Sequence, residues 1–473
     1  MSDDGRDQDR AATTRERIRL LMLFGATVIG FAFAPLLNGA THRSNKDYTL
    51  WYYAGRSEAH GVSVYPEDAR PFPFMYPPSC AALFAVASAA GEVPFITLLV
   101  AVNSLAWAAA AWLSVWLAAG KSWDRQSKWL YLVPSLGVAA YVHDTYLLGQ
   151  PNLVLLACMV GAGACLRLRR PIGAGVLVAI AAAIKAFPFM AIGYFVYRRM
   201  GRATLALIVA LTLSVLVAPM PFRGVTGAYR DLGTWTVGMV FRYDSGSIAQ
   251  RPERGFGYKN QSIMALANRL LRPVPADGEA KDGWKVNVAD LDFATINRII
   301  LMAAATLGGL YVAVMPWKRR ESGPTASIEW AMLILLILLF SPLSFNYFYV
   351  WLLYPLTMAL HLGLDAPRRS RERAVMVGSV ALSLSVLALS IPFRREAAAY
   401  GNSLASALIL LLALAWRMAI EPGTDAPIRA IPRWIAGRLR GPAPAPAPVA
   451  LAGPKRKRPS LTRRGLRGRP GRG

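Results

Sequence analysis

"AGVLVAIAAAIKAFPFMAIGYFVYRR", residues 174–199, is a 26-residue apolar run whose only charge before its closing arginines is Lys185. A stretch of this length and character matches the hydrocarbon core of a bilayer rather than the half-buried face of a soluble helix. Lys185 lies about 12 residues, or ~18 Å of helix, from either end, too deep for its ammonium to snorkel to water. A charge at that depth costs at least ~2.5 kcal/mol, so it faces a cavity or a partner. Two readings follow, a structural ion pair and a bound anion. Pro188, three residues on, removes a helix hydrogen bond and can open the backbone around the lysine. Because basic clusters stand at both ends of 172–197, the segment reads as a broken or re-entrant helix rather than a simple span.

The rest of the chain has the same character. Of 473 residues, 55% are hydrophobic and 17% charged, and apolar runs near 20 residues recur, which excludes a soluble enzyme on a single anchor. The first run, Leu20 to Asn38, extends roughly 28 Å as a helix. The segment before it is too long and too acidic for a cleavable signal, and no small-residue cleavage site follows, so it is expected to remain as the first span. Arg15, Arg17 and Arg19 place the N-terminus in the cytoplasm. Further spans are expected near 95–119, 129–147, 150–166, 203–219, 296–317, 326–341, 345–363, 374–392 and 401–419, while 76–90 must double back or stay shallow. The fold class is all-α, a polytopic membrane protein of roughly 10–13 transmembrane helices.

Three regions follow from this pattern: a cytoplasmic N-terminal segment, 1–19; a multi-span domain, 20–420, with outer loops 39–75 and 221–292; and a basic, Pro/Ala-rich tail, 421–473. The net charge of +26 would suit nucleic acid, but 13 of the basic residues fall between Arg429 and Arg472, where no acid occurs after Asp425. The "APAPAP" repeat before the basic run predicts a disordered cytoplasmic tail that meets anionic lipid, and no aromatic or fold signature supports nucleic-acid binding. Cys80, Cys158 and Cys165 sit in apolar stretches without disulfide or metal spacing. The four histidines, His42, His60, His143 and His361, are scattered. No metal site and no cofactor are expected, with a bound divalent cation left open.

Chemistry-bearing residues cluster on the outer side of this plan. In "NKDYTLWYYAGRSEAHGVSVY", residues 45–65, Tyr48, Trp51, Tyr52 and Gly55 share a helix face suited to lying along the headgroup boundary, and Asp47 stands at its start. Asp47 either caps that helix or serves as a base at the membrane surface. Asp68, Asp231 and Asp244 are rival carboxylates. Tyr76-Pro77-Pro78 opens an apolar run, where proline is tolerated because the first N–H groups have no helical partner. Gln150 and Asn152, in "GQPN", either belong to a turn or hold sugar hydroxyls. Arg223 and Arg269 are outer-side cations. Asn260 and Gln261 either bind hydroxyls or, for Asn260, cap the following helix.

Taken together, "DYTLWYYAGRSEAHGVSVY" (47–65), "FMYPP" (74–78), "GQPN" (149–152), "AGVLVAIAAAIKAFP" (174–188) and "NQSIMALANRL" (260–270) resemble, in order and spacing, glycosyltransferase family 87. That is a set of C-type membrane glycosyltransferases which includes mycobacterial polyprenol-phosphate-mannose-dependent mannosyltransferases. The resemblance spans roughly residues 20 to 420. It implies a hexosyltransferase in the cell (inner) membrane with a polyprenyl-phosphate-sugar donor, mannose favoured, and a lipid or glycan acceptor. It also implies an active site on the outer face, with the aspartate of the first outer loop, Asp47, as catalytic base. Lys185, Arg223 and Arg269 are then candidates for the donor phosphate, and Tyr76, Gln150, Asn152, Asn260 and Gln261 for substrate hydroxyls. Where members of the family often carry a histidine near "SP", this chain has "SPLSFNYFYVW" (341–351), with Asn346 and Tyr347. A transporter or lipid flippase would also need broken helices and an intramembrane lysine, but no second copy of the "YPP" or "GQPN" pattern is present.

Overall fold

The computed structural model describes residues 3–41, 43, 45–65, 74–120, 126–240, 256–277, 283–317, 324–421 and 425–429. The chain divides into a body, Met1–Ile428, and a C-terminal segment, Arg429–Gly473, of which only Arg429 is described, at the end of a short 3-10 turn. The expected disordered tail and the rival carboxylates Asp68 and Asp244 lie outside the described residues.

The body is all-α, and among the described residues its only extended pairing is one antiparallel bridge between Asn260 and Phe345. The first helix, α1 (Asp3–Ala40), is followed by α2 (Asp47–Ala59), α3 (Pro78–Ser88) and α4 (Glu92–Ala119). Next come α5 (Trp129–Gly137), α6 (Ala139–Leu148), α7 (Asn152–Arg167), α8 (Pro171–Ile184), α9 (Ile192–Tyr197), α10 (Gly201–Thr212) and α11 (Met220–Trp235). The remainder comprises α12 (Ile263–Leu271), α13 (Phe293–Val314), α14 (Pro324–Phe340), α15 (Leu353–Asp365), α16 (Arg371–Ala388), α17 (Arg394–Ala399) and α18 (Asn402–Ile420). Helices α14 and α15 are apolar all round and buried on nearly every side, so they form the centre of the bundle. Helices α1 and α13 leave Leu21, Ile29, Phe33 and Met302 exposed, as side chains that face lipid would be.

Among the described residues five helices are long and apolar enough to cross a membrane, or six if α10 and α11 with their π-helical extensions, bent by 100° at the break before Met220, make one span. The expected count of roughly 10–13 is approached only if the shorter apolar helices also cross in pieces. The difference comes from breaks that hydropathy alone passes over. The run 129–147 is two helices parted at Val138, with Pro134 inside the first. The run 76–90 yields only the 11 residues of α3, which Gly91 (φ 100) turns back into α4. The run 172–197 is broken, and Lys185 itself is the residue at the break: α8 ends there in extended backbone, and a 3-10 turn, Phe187–Ala191, follows. Ser79 donates to the carbonyl of Ala183 at 2.6 Å, satisfying one acceptor freed by the interrupted helix.

Charge is also buried at the other end of α9. Arg198 meets Glu329 of α14 at 2.5 Å with both side chains almost fully enclosed, and Tyr194 donates to the same carboxylate at 3.0 Å. A paired and hydrogen-bonded charge of this kind locks two helices together, whereas either partner alone would be costly to enclose.

The polar stretch expected at 221–292 is partly helical. Its described residues 256–277 are tied to the 341–349 segment: the Gln261 N–H donates to the Ser344 carbonyl at 2.7 Å, and the Asn346 N–H to the Lys259 carbonyl at 3.0 Å. This tether holds Asn346 and Tyr347 at the head of the central helix pair.

Candidate active site

Helix α2 begins at Asp47, but the aspartate does not cap it: the cap position is Lys46, and no side chain accepts a hydrogen bond there. Lys46 adopts φ 51 and ψ −122, a conformation suited to glycine, and so holds the start of the helix in a strained turn. The Asp47 carboxylate is thereby left to face across the bundle. The aromatic face of α2 is not laid along headgroups as its pattern suggested. Tyr48, Trp51, Ala54 and Gly55 are buried within the protein, and a Cβ on Gly55 would stand 2.6 Å from the Phe84 carbonyl oxygen of α3. Close packing of α2 on α3, permitted by glycine, fixes where Asp47 points.

Gln150 is presented by the turn between α6 and α7. Gly149, at φ 75, ends α6 in the left-handed conformation, and a Cβ there would meet the Tyr48 ring at 2.7 Å. Gln150 is buried, and its amide bridges two charges. Its Nε2 donates to Asp47 Oδ2, while its Oε1 accepts from Lys185 Nζ at 2.6 Å and from the Tyr76 hydroxyl at 3.3 Å. Asn152, at the start of α7, accepts a second Lys185 N–H at 3.2 Å. Its orientation is fixed by donation to the Tyr347 carbonyl at 3.4 Å and by the Trp351 indole on its own carbonyl at 3.2 Å.

The remaining surroundings of Lys185 are aromatic. Its ammonium stands 4.2 Å from the Phe348 ring centroid and 5.4 Å from those of Tyr76 and Tyr347. Cation–π attraction from three sides compensates in part for lost water while leaving a third N–H for an incoming acceptor. Among the described residues no carboxylate contacts the ammonium; the nearest acid is reached through Gln150. Burial pushes the Asp47 carboxyl above its ordinary value of 3.8, while the charge of Lys185 and the Gln150 hydrogen bond pull the other way. The result is a carboxylate and a cation held apart by one amide.

Five residues singled out from sequence therefore converge: Asp47, Tyr76, Gln150, Asn152 and Lys185. The other four stand elsewhere. Arg223 pairs with Asp231 at 2.6 Å, reaches the Gly61 carbonyl, and shares Asp231 with Ser63 at 2.7 Å. That cluster also takes the rival carboxylate Asp231 out of contention. Arg269 is fully buried and donates to the carbonyls of Phe256, Gly257, Asn260, Ala398 and Ala399 at 2.7–3.3 Å, so its fork is occupied by backbone. Gln261 donates to the carbonyls of Tyr258 and Ala398, both at 2.6 Å. Asn260 donates to the Pro342 carbonyl at 2.9 Å and accepts from the Ser262 N–H; the cap of α12 is Ser262, not Asn260. These three tie the 256–277 segment to the body.

Tyr347 and Phe348, which wall the ammonium, were not proposed as site residues from sequence. The available signal was the departure at "SFNYF", where Asn346 and Tyr347 replace a histidine-bearing pattern. Trp51, 4.1 Å from the Tyr76 ring, was read as a surface aromatic. Among the described residues no group of three or more His, Cys, Asp or Glu side chains is placed to hold a metal ion.

The family model described as Glycosyltransferase family 87 matches residues 74–342, more than half of the chain. Tyr76, Gln150, Asn152 and Lys185 fall within that span; Asp47 and Tyr347 flank it. Over 455 residues the chain is 24% identical to the polyprenol-phosphate-mannose-dependent alpha-(1-2)-phosphatidylinositol mannoside mannosyltransferase of Mycobacterium tuberculosis, covering 90% of this chain and 95% of that protein. No solved structure matches the chain.

Proposed function

The chain belongs to glycosyltransferase family 87, and from that premise we propose that this membrane hexosyltransferase moves mannose from a polyprenyl-phosphate donor to a lipid or glycan acceptor on the outer face of the cell membrane, with inversion at the anomeric carbon. The observation that carries the reading is the bridge Asp47–Gln150–Lys185, a carboxylate and a buried cation joined through one amide, which supports a base and an anion-binding cation side by side. Support for the donor comes from the mycobacterial relative, whose name specifies polyprenol-phosphate-mannose.

The chemistry follows from the geometry. An acceptor hydroxyl attacks the anomeric carbon as its proton passes to Asp47. The bond from that carbon to the phosphate oxygen breaks, its electron pair leaves with the polyprenyl phosphate, and Lys185 neutralises the developing charge. Phosphate is already a good leaving group, so no general acid is needed on that side. Gln150 keeps base and cation from collapsing into a direct ion pair that would quench both. Asn152 and Tyr76 hold the lysine in place and border the space where the sugar would sit. Of the candidates for donor phosphate, Lys185, Arg223 and Arg269, the reading keeps Lys185, and of those for hydroxyls it keeps Tyr76, Gln150 and Asn152 over Asn260 and Gln261, because Arg223, Arg269, Asn260 and Gln261 are hydrogen-bonded away from the Asp47–Lys185 cluster.

The purified protein should be tested with polyprenyl phosphates carrying mannose, glucose or arabinose and a lipid extract of the native host as acceptor. Product from the mannose donor in clear excess is expected. Product from glucose or arabinose alone overturns the assignment of sugar, and silence from all three overturns the reading as a transferase.

A further inference from the structure

We infer that the cavity between α1, α5, α6 and α16 binds the acceptor, and that this acceptor is an amphiphile with a hydroxyl-rich head and an apolar chain; the word acceptor rests on the function proposed above. The cavity measures about 710 Å³, in the range of sites that enclose a small ligand. Gly137 and Ala139, on either side of the break at Val138, both line it. Its wall divides by chemistry. Leu136, Leu384 and Leu387 supply an apolar side; His143, Asp144 and Arg394 supply a charged rim. Arg394 stands 3.6 Å from Asp144 and is largely exposed, so the rim is wet and its charges are free to rearrange around a ligand.

Two observations connect this cavity to the reacting centre. Asn346 lines the cavity, and the next residue, Tyr347, walls the ammonium of Lys185, so both spaces share one stretch of backbone. Helix α6 runs from the cavity directly to Gly149 and Gln150, with the Gln150 N–H donating to the Thr145 carbonyl at 2.9 Å. In addition, Asn346 Oδ1 is buried and has no hydrogen-bond partner among the described residues. A buried amide oxygen without a donor is unfavourable by itself and is suited to receive one from a ligand hydroxyl. A head group anchored on Asn346 would sit one residue from Tyr347, which walls Lys185, while its chain follows the apolar side along Leu384 and Leu387.

The test is photolabelling of the full-length protein with an alkyl α-mannoside carrying a diazirine at the end of its chain, alongside steady-state transfer kinetics. Label is expected on the lining residues of α5 and α16 and should be lost in Leu387→Trp, which fills the apolar side. In that variant the acceptor KM should rise about tenfold with the donor KM unchanged, since the larger ring occupies the space the chain would take. Asn346→Ala, whose side chain is only half-buried and which leaves the backbone tether in place, should raise the acceptor KM in the same direction and serves if Leu387→Trp fails to fold. Label concentrated elsewhere, or an acceptor KM unmoved in both variants, overturns the inference. Absence of transfer by the wild type overturns the proposed function instead, and the labelling pattern still decides whether an amphiphile enters here.

Discussion

Asp47 and Lys185 are joined through Gln150, and the proposed role of each can be probed alone. Replacing Asp47 by Asn keeps the shape and the amide contact but removes the proton acceptor, so kcat should fall by about 10²–10⁴ with the fold intact. Lys185→Met should lower kcat/KM for the donor by about 10²–10³; Lys185→Arg should not restore it, because a planar fork does not fit among three rings and two amides. The pH profile gives the sign of the Asp47 environment. Burial raises its pKa above 3.8, the carboxylate is the active form, and activity is therefore lost as pH falls through that raised value. Because the Gln150 hydrogen bond favours the charged form, Gln150→Leu should move the acidic limb of kcat/KM to higher pH; a limb that stays in place would show that Asp47 is not the titrating group. From sequence Asp47 was legible as a polar residue at a helix start, but whether it capped or catalysed was not. That Asp47 does not cap depends on Lys46 taking the cap position in a strained conformation, which no spacing rule reports.

At the level of helices, the site is built from chain breaks and close approaches rather than from regular spans. Gly55 allows α2 to touch α3, and a Cβ there would stand 2.6 Å from the Phe84 carbonyl. Gly55→Ala should therefore destabilise by about 1–3 kcal/mol and misplace Asp47, visible as a lower melting temperature together with reduced kcat. Arg198 and Glu329 clamp α9 to α14 at 2.5 Å. Arg198→Ala leaves a buried carboxylate unpaired and should cost about 3–5 kcal/mol, whereas a double change to apolar residues should recover most of it. The break at Lys185 was readable in advance from the coincidence of an intramembrane charge and Pro188. The break at Val138 was not, because Pro134 lies inside α5 without ending it and the helix divides four residues later, beside Gly137, which packs against Leu384. The role of Arg269 escaped for a related reason: an arginine in a polar loop carries no sequence mark of the backbone carbonyls that will surround it.

Over the whole molecule, the central pair α14 and α15 supplies the buried axis around which the broken helices pack, and residues 256–277 are hydrogen-bonded to the stretch that joins the pair. A second buried acid couples this arrangement to pH. Glu58, on α2, is pushed up to about 7, first by burial and then by Asp231, with Arg223 opposing. Its folded value lies above the unfolded 4.5, so the protonated form is favoured in the fold. The associated stability is fully present below 4.5 and is lost as pH rises through about 7. Glu58→Gln should flatten that dependence in thermal melts between these values; an unchanged slope would assign it to another group. The all-α membrane class was legible from apolar runs and basic flanks, since both are local properties of sequence. The number of complete spans was not, because it depends on where helices bend. The most direct test of the central claim is transfer of radiolabelled mannose from polyprenyl-phosphate-mannose to a native lipid extract, by wild type and Asp47→Asn side by side. Labelled product from the wild type, with at least about a hundredfold less from the folded variant, is the predicted result. Equal transfer by both proteins would contradict it and return Asp47 to a structural role.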